Sequence, residues 1–130
     1  MKKKEPVMIE GMIKGGSYSI AIKFGDFLFV SGQGAFTGSS KPMADNIDEQ
    51  THQTLLNIEK VVISAGSSVK KILKTSVFLK NIEDFEKMNK VYAEFFSQRR
   101  VTNDYPARTT VSARLPLEPM LIEIEAIAAL

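Results

Sequence analysis

The chain contains no cysteine and only one histidine, His52. Without cysteine it can form no disulfide, no thiolate nucleophile and no cysteine-ligated zinc or iron–sulfur site. A single histidine excludes a multi-histidine metal site within one subunit. Neither sign of charge dominates: 17 Lys and Arg face 15 Asp and Glu, a formal net charge of +2. No basic stripe with interleaved aromatics is present, which argues against a nucleic-acid surface. Arg99-Arg100 with Lys90 reads as a solvated helix face and helix end. No apolar run is long enough to span a membrane. Lys2-Lys3-Lys4 is not followed by an apolar stretch, so no secretory signal is expected. These absences fit a reducing compartment, and a cytoplasmic location is the expectation.

What is present suffices for one domain, residues 1–130, with 44% hydrophobic residues to supply its core. Residues around Val7 to Ile9 read as a short first strand. Tyr18 to Phe24 alternates as a strand, and Gly25-Asp26 turns it into the apolar run Phe27 to Gly32, forming a hairpin. Gly34 to Ala44 is a loop. Asn46, with Glu49 three residues on, opens a helix whose apolar stripe runs from Ile47 to Ala65, and Gly66 suits its end. Ile72 to Lys80 is a strand with Leu73, Thr75, Val77 and Leu79 on one face. Asn81 to Asp84 caps a second helix whose stripe is Phe85, Met88, Val91, Tyr92, Phe95 and Phe96. Strands Ala107 to Arg114 and Met120 to Ala129 finish the chain. The order β-β-β-α-β-α-β-β predicts an α+β fold, a mixed sheet with two helices packed on one face. The other face retains apolar side chains, which predicts self-association into a closed ring.

Arg108 stands out. It lies in Pro106-Ala107-Arg108-Thr109-Thr110-Val111, where β-branched residues specify a strand and Pro106 suits its opening. A guanidinium held by a strand end is permanently charged and shaped to grip a carboxylate through two parallel hydrogen bonds. Leu121 to Ala126 forms another strand that sets Glu123 and Glu125 on one face. An anion clamp and a carboxylate on neighbouring strands would make a small active site without metal or cofactor. Taken alone, Arg108 reads more readily as a structural arginine paired to a carboxylate across strands, and Glu125 competes with Glu123.

The order and spacing of several stretches carry more. Gly16-Ser17-Tyr18-Ser19, Val30-Ser31-Gly32-Gln33, Gln53 to Ile58, Lys74 to Leu79, Asn89-Lys90-Val91-Tyr92, Pro106 to Val111 and Ile122 to Ala128 together resemble the YjgF/YER057c/UK114 (RidA) family of enamine/imine deaminases. The resemblance covers nearly the whole chain. It implies a homotrimer of chorismate-mutase-like subunits whose sheets form a central β-barrel, with ligand clefts between subunits. It implies that Arg108 binds the carboxylate of a small 2-imino acid and that Glu123 positions water. Tyr18 and Asn89 match residues that line the cleft and Ser31-Gly32 the loop beside it, and no cofactor or metal is implied; on chemical grounds the backbone near Ala107 is a candidate to bind the imine nitrogen. Some relatives are described as endoribonucleases and translation inhibitors.

The chain departs from the family pattern. Ser17 and Ile20 replace a proline and a glutamine, Gly34 and Ala35 replace an aliphatic residue and a proline, and Thr110 replaces a common cysteine. Independently of the resemblance, imine hydrolysis needs an oriented substrate, a water and a proton route, which one arginine and one glutamate can supply. The alternatives are an endoribonuclease, or a non-catalytic carboxylate-binding or chaperone-like trimer. His52 reads as a solvated edge residue, and the aromatic stripe of the second helix as core.

Overall fold

The computed structural model describes residues 2–12 and 14–130. Its strands are β1 (Glu5–Val7), β2 (Ala21–Phe24), β3 (Phe27–Gln33), β4 (Ile72–Leu79), β5 (Ala107–Ser112) and β6 (Ile122–Ala129), and its helices are α1 (Ile47–Ser64) and α2 (Phe85–Gln98). The order along the chain matches the pattern read from periodicity. All six strands lie in one sheet, ordered β1-β2-β3-β6-β4-β5. Every pair is antiparallel except β4–β5, which is parallel and is bridged by α2. The mixed α+β architecture is therefore as expected.

Alternation divides each strand between two environments. Leu28, Val30, Val77, Leu79, Ile122, Ile124, Ala126 and Ala128 point to the helix side and are buried against Leu55, Ile58, Val61 and Val62 of α1 and Met88, Tyr92, Phe95 and Phe96 of α2. The opposite face carries Phe27 and Phe29, each 46% exposed, with Val111 also exposed. No element among the described residues covers it.

Three local readings are corrected. The first strand is Glu5–Val7, earlier than Val7 to Ile9, because its partner β2 pairs Glu5 with Lys23 and Val7 with Ala21. β2 starts at Ala21 and not at Tyr18, since Gly16 to Tyr18 closes a turn in which the Tyr18 N–H donates to the Gly16 carbonyl at 3.0 Å. In β4, Leu73 does not share a face with Thr75. Ile72 pairs with Ala128 while Lys74 pairs with Ile127, so Leu73 is the extra residue of a bulge. That insertion sends Ile72 into the core, 5% exposed, and leaves Leu73 45% exposed.

α1 begins as its capping pattern requires, with the Glu49 N–H donating to Asn46 Oδ1 at 2.9 Å. Gln50, which lies one turn in, is fully buried yet satisfied. Its amide donates to the Ala44 and Pro119 carbonyls at 2.7 and 2.8 Å, and its oxygen accepts from the Leu121 N–H at 2.8 Å. One side chain thereby pins two loops to the helix.

Arg99 is not a solvated end residue. Its guanidinium pairs with Glu59 of α1, with one bond at 2.8 Å, and lies 3.6 Å from the centre of the Phe95 ring. It clamps the two helices while stacking on the core edge. Arg100 follows at φ +64°, a left-handed conformation. The Val101 N–H reaches back to the Phe96 carbonyl at 2.9 Å and the Arg100 N–H to Ser97 at 2.9 Å, closing the α2 C-terminus in the geometry glycine usually supplies. Arg100→Gly is expected to raise stability by about 1 kcal/mol, because relief of the Cβ clash outweighs the added chain entropy. A denaturant midpoint that falls instead would contradict this.

Candidate functional site

Arg108 sits on β5 opposite Thr75 of β4 and points to the helix side. Its guanidinium carbon lies 4.7 Å from the Tyr92 ring centre and 5.6 Å from that of Phe85, both on α2. The Tyr92 hydroxyl and Thr75 Oγ1 share a buried hydrogen bond of 2.8 Å. A closed circuit results: Thr75 is the strand neighbour of Arg108, Tyr92 is tied to Thr75, and the Tyr92 ring supports the guanidinium. Burial raises the Tyr92 pKa, opposed by the Thr75 hydrogen bond and by the Arg108 charge, so the phenol stays neutral beneath the cation. Among the described residues Arg108 has no carboxylate partner; the ion pairs are Lys80–Glu118 and Arg99–Glu59. Its donors are left available for an incoming anion. Asn89 is exposed on α2, one turn from both Phe85 and Tyr92, and so borders the same stripe.

A second group forms on the open face. β3 bulges between Val30, paired with Ala126, and Gln33, paired with Ile124, so Ser31 and Gly32 together oppose Glu125. The Ser31 hydroxyl donates to the Ser19 carbonyl at 2.6 Å and its N–H to Ile20 at 2.9 Å, holding the bulge against the chain next to Tyr18. A Cβ placed on Gly32 would lie 2.9 Å from Glu123 Cδ and 3.1 Å from Cγ. The absent side chain is thus the space into which the Glu123 carboxyl folds. Desolvation first, and the nearby Glu125 charge second, raise the Glu123 pKa. Glu125 is exposed, whereas Glu123 is half-buried against the bulge. This separates two glutamates that alternation alone left equivalent.

Gly32→Ala is expected to displace the Glu123 carboxyl and reduce any activity that depends on it by about 10- to 100-fold, a loss typical of a misplaced catalytic group. The fold should persist, because the atoms that must move are the end of a flexible side chain. Circular dichroism beside an activity assay checks both points.

Tyr18 is partly exposed and latched to its own turn: the Gly15 N–H donates to its hydroxyl at 3.0 Å and Lys14 Nζ to its carbonyl at 2.8 Å. Ala107 faces the open side, paired with Lys74. Gly34, where the family pattern has an aliphatic residue, leaves room taken by Met120 and Phe36, whose atoms lie 2.9 and 3.0 Å from its would-be Cβ. Asn57 holds that loop by donating to the Gly34 and Phe36 carbonyls at 2.8 and 2.7 Å. His52 stands edge-on to Phe95, their ring centres 6.4 Å apart, in a groove of ≈ 350 Å³ between the helices that Asp48 and Glu94 also line.

The expectation that Arg108 and Glu123 lie on neighbouring strands is overturned. β4 separates β5 from β6. The two residues also point to opposite faces, Arg108 with the buried Thr75 and Glu123 beside Phe78 on the open side. One chain thus carries two separate groups of candidate residues: Arg108 with Tyr92, Phe85 and Asn89, and Glu123 with Ser31 and Gly32. Tyr92 and Phe85 had been read as core alone. Their spacing with Asn89, four and then three residues, was the available signal that one helical stripe meets the arginine. Among the described residues no group of three or more His, Cys, Asp or Glu side chains could hold a metal ion.

Residues 11–130 match the family described as Endoribonuclease L-PSP. The chain belongs to this family, the YjgF/RidA family. A RutC family protein of Pyrococcus horikoshii is 43% identical over 128 residues, covering 96% of this chain and 97% of that protein. The 2-iminobutanoate/2-iminopropanoate deaminase of Salmonella typhimurium is 38% identical over 114 residues, 87% of each chain. The crystal structure of Escherichia coli TdcF with bound serine superposes with a TM-score of 0.88 at 31% identity, covering 96% of this chain and 98% of that one. The family fold therefore extends over nearly the whole chain. No helix among the described residues is long and apolar enough to cross a membrane.

Proposed function

We propose that this protein hydrolyses small 2-imino and 2-enamine acids to 2-keto acids and ammonia, at a composite site to which two copies of the chain contribute. The observation that carries the reading is the division of the candidate residues: an anion clamp with no carboxylate partner among the described residues on the helix side, and a half-buried carboxyl of raised pKa on the open side. Neither half is a catalytic centre alone. Two copies joined through the uncovered apolar face would complete it, and a closed homotrimer satisfies the requirement with every face occupied. The deaminase among the relatives supports the reaction class.

The chemistry follows from the groups. Arg108 holds the substrate carboxylate and so fixes the imine carbon relative to the partner's glutamate. Glu123 accepts a proton from water as the oxygen attacks that carbon and the C=N π electrons move to nitrogen. Glu123 then returns the proton to the amino group of the tetrahedral adduct. The C–N bond breaks and its electrons leave with ammonia, while the ionised Glu123 takes the hydroxyl proton, the carbonyl forms, and that proton passes to the departing ammonia. Atoms balance with water as the only co-reactant. Raising the glutamate pKa brings it nearer the working pH, so that one group can both take and return a proton, which suits both steps.

The serine bound to the Escherichia coli relative favours a second reading, a carboxylate-binding protein without turnover. The test generates the imines of alanine and 2-aminobutyrate in situ and follows their disappearance with and without the protein. Acceleration well above buffer is expected. Keto-acid binding without acceleration would replace the enzyme by the sensor, and RNA cleavage that vanishes in Arg108→Ala would replace both.

A further inference from the structure

Two aromatic rings of α2 lie near the Arg108 guanidinium. The Tyr92 ring lies buried beneath it. The Phe85 ring, 5.6 Å away, is 37% exposed. Phe85 is the first residue of α2, set at its angle by the 3-10 turn Ile82–Asp84, and Ile82 beside it is also exposed. An exposed phenyl ring beside a cation that has no carboxylate partner among the described residues suits a ligand with both an anionic and an apolar end. The sequence neighbours of Phe85 are Asp84 and Glu86, which oppose a second negative charge there.

We infer that Phe85 is a specificity-determining residue that receives the side chain of a 2-imino acid whose carboxylate Arg108 holds. The substrate class is therefore the monocarboxylates with extended apolar side chains, and dicarboxylates are rejected. This rests on the reading of Arg108 as a carboxylate clamp. Each additional buried methylene adds affinity, so a branched chain two carbons longer is expected to bind about tenfold tighter.

The test titrates three stable keto acids, α-ketobutyrate, α-ketoisocaproate and α-ketoglutarate, into the intact protein, Phe85→Ala and Arg108→Ala, by calorimetry. The unaltered protein should prefer α-ketoisocaproate over α-ketobutyrate by about tenfold and bind α-ketoglutarate weakest. Phe85→Ala should lose the preference, weakening α-ketoisocaproate far more than α-ketobutyrate. If Phe85→Ala keeps the preference, or weakens all three alike, the inference fails although the clamp stands, provided Arg108→Ala abolishes binding. If Arg108→Ala leaves every affinity unchanged, the clamp fails and this inference with it. Size-exclusion and melting curves for Phe85→Ala accompany the titration; a uniform loss with a changed assembly assigns Phe85 to packing and overturns the proposal.

Discussion

Arg108→Ala is expected to lower kcat/KM for imine hydrolysis by about two to four orders of magnitude while the protein remains folded. The estimate comes from two charge-assisted hydrogen bonds, each worth about 1.5–3 kcal/mol. The fold should tolerate the change because Arg108 makes no ion pair with a described residue and its main contacts are the Tyr92 and Phe85 rings. Arg108→Lys keeps the charge but not the planar fork, and should recover only a minor part of the loss. Both KM and kcat should suffer, since the same contacts bind the substrate and aim it. Near-normal turnover by Arg108→Ala would mean that the carboxylate is held elsewhere.

A mixture of Arg108→Ala and Glu123→Gln chains, assembled together, is expected to regain activity that neither variant has alone. Glu123→Gln should by itself cost about 100- to 10,000-fold in kcat, the range for a general acid–base group, with little change in KM. In randomly mixed rings a site that takes its arginine from one chain and its glutamate from another is intact in about a quarter of cases. A site within one chain would recover nothing. The experiment therefore reads the composite arrangement directly, and an inactive mixture of well-assembled chains would exclude it.

The same glutamate predicts a pH dependence. Its pKa is raised in the folded protein, so turnover limited by its basic form should fall off in acid at a pH above the ordinary carboxylate range. For stability the sign is opposite to that of a salt-bridged carboxylate. A raised folded pKa contributes stability below the unfolded pKa, and that contribution is lost as pH rises through the folded value. Glu123→Gln should accordingly be more stable than the parent at neutral pH, with the difference closing in acid.

Element type and order were legible because they depend on local spacing. The capping pair Asn46 and Glu49, the turn at Gly25-Asp26 and the stripe of α2 each act over a few residues. The candidate site was legible as a set of residues, through the ordered motifs around Arg108, Glu123 and Ser31-Gly32. Other features were not. Gln50 looks like any polar helix residue, and its burial depends on loops about six and seventy residues away meeting over it. Leu73 alternates correctly with Thr75, yet a single inserted residue reverses it. Phe85 and Tyr92 read as core because an aromatic stripe carries no sign of which charged strand it will meet.

By itself the sequence determined the order of strands and helices, the family, and the chemistry available, guanidinium and carboxyl groups without cysteine or a histidine cluster. Only the tertiary structure decided that these groups stand on opposite faces with a strand between them. The reason is geometric. Alternation states that neighbours along a strand face apart, but strand order and bulges, set by long-range pairing, determine which face each side chain shares with the rest of the molecule.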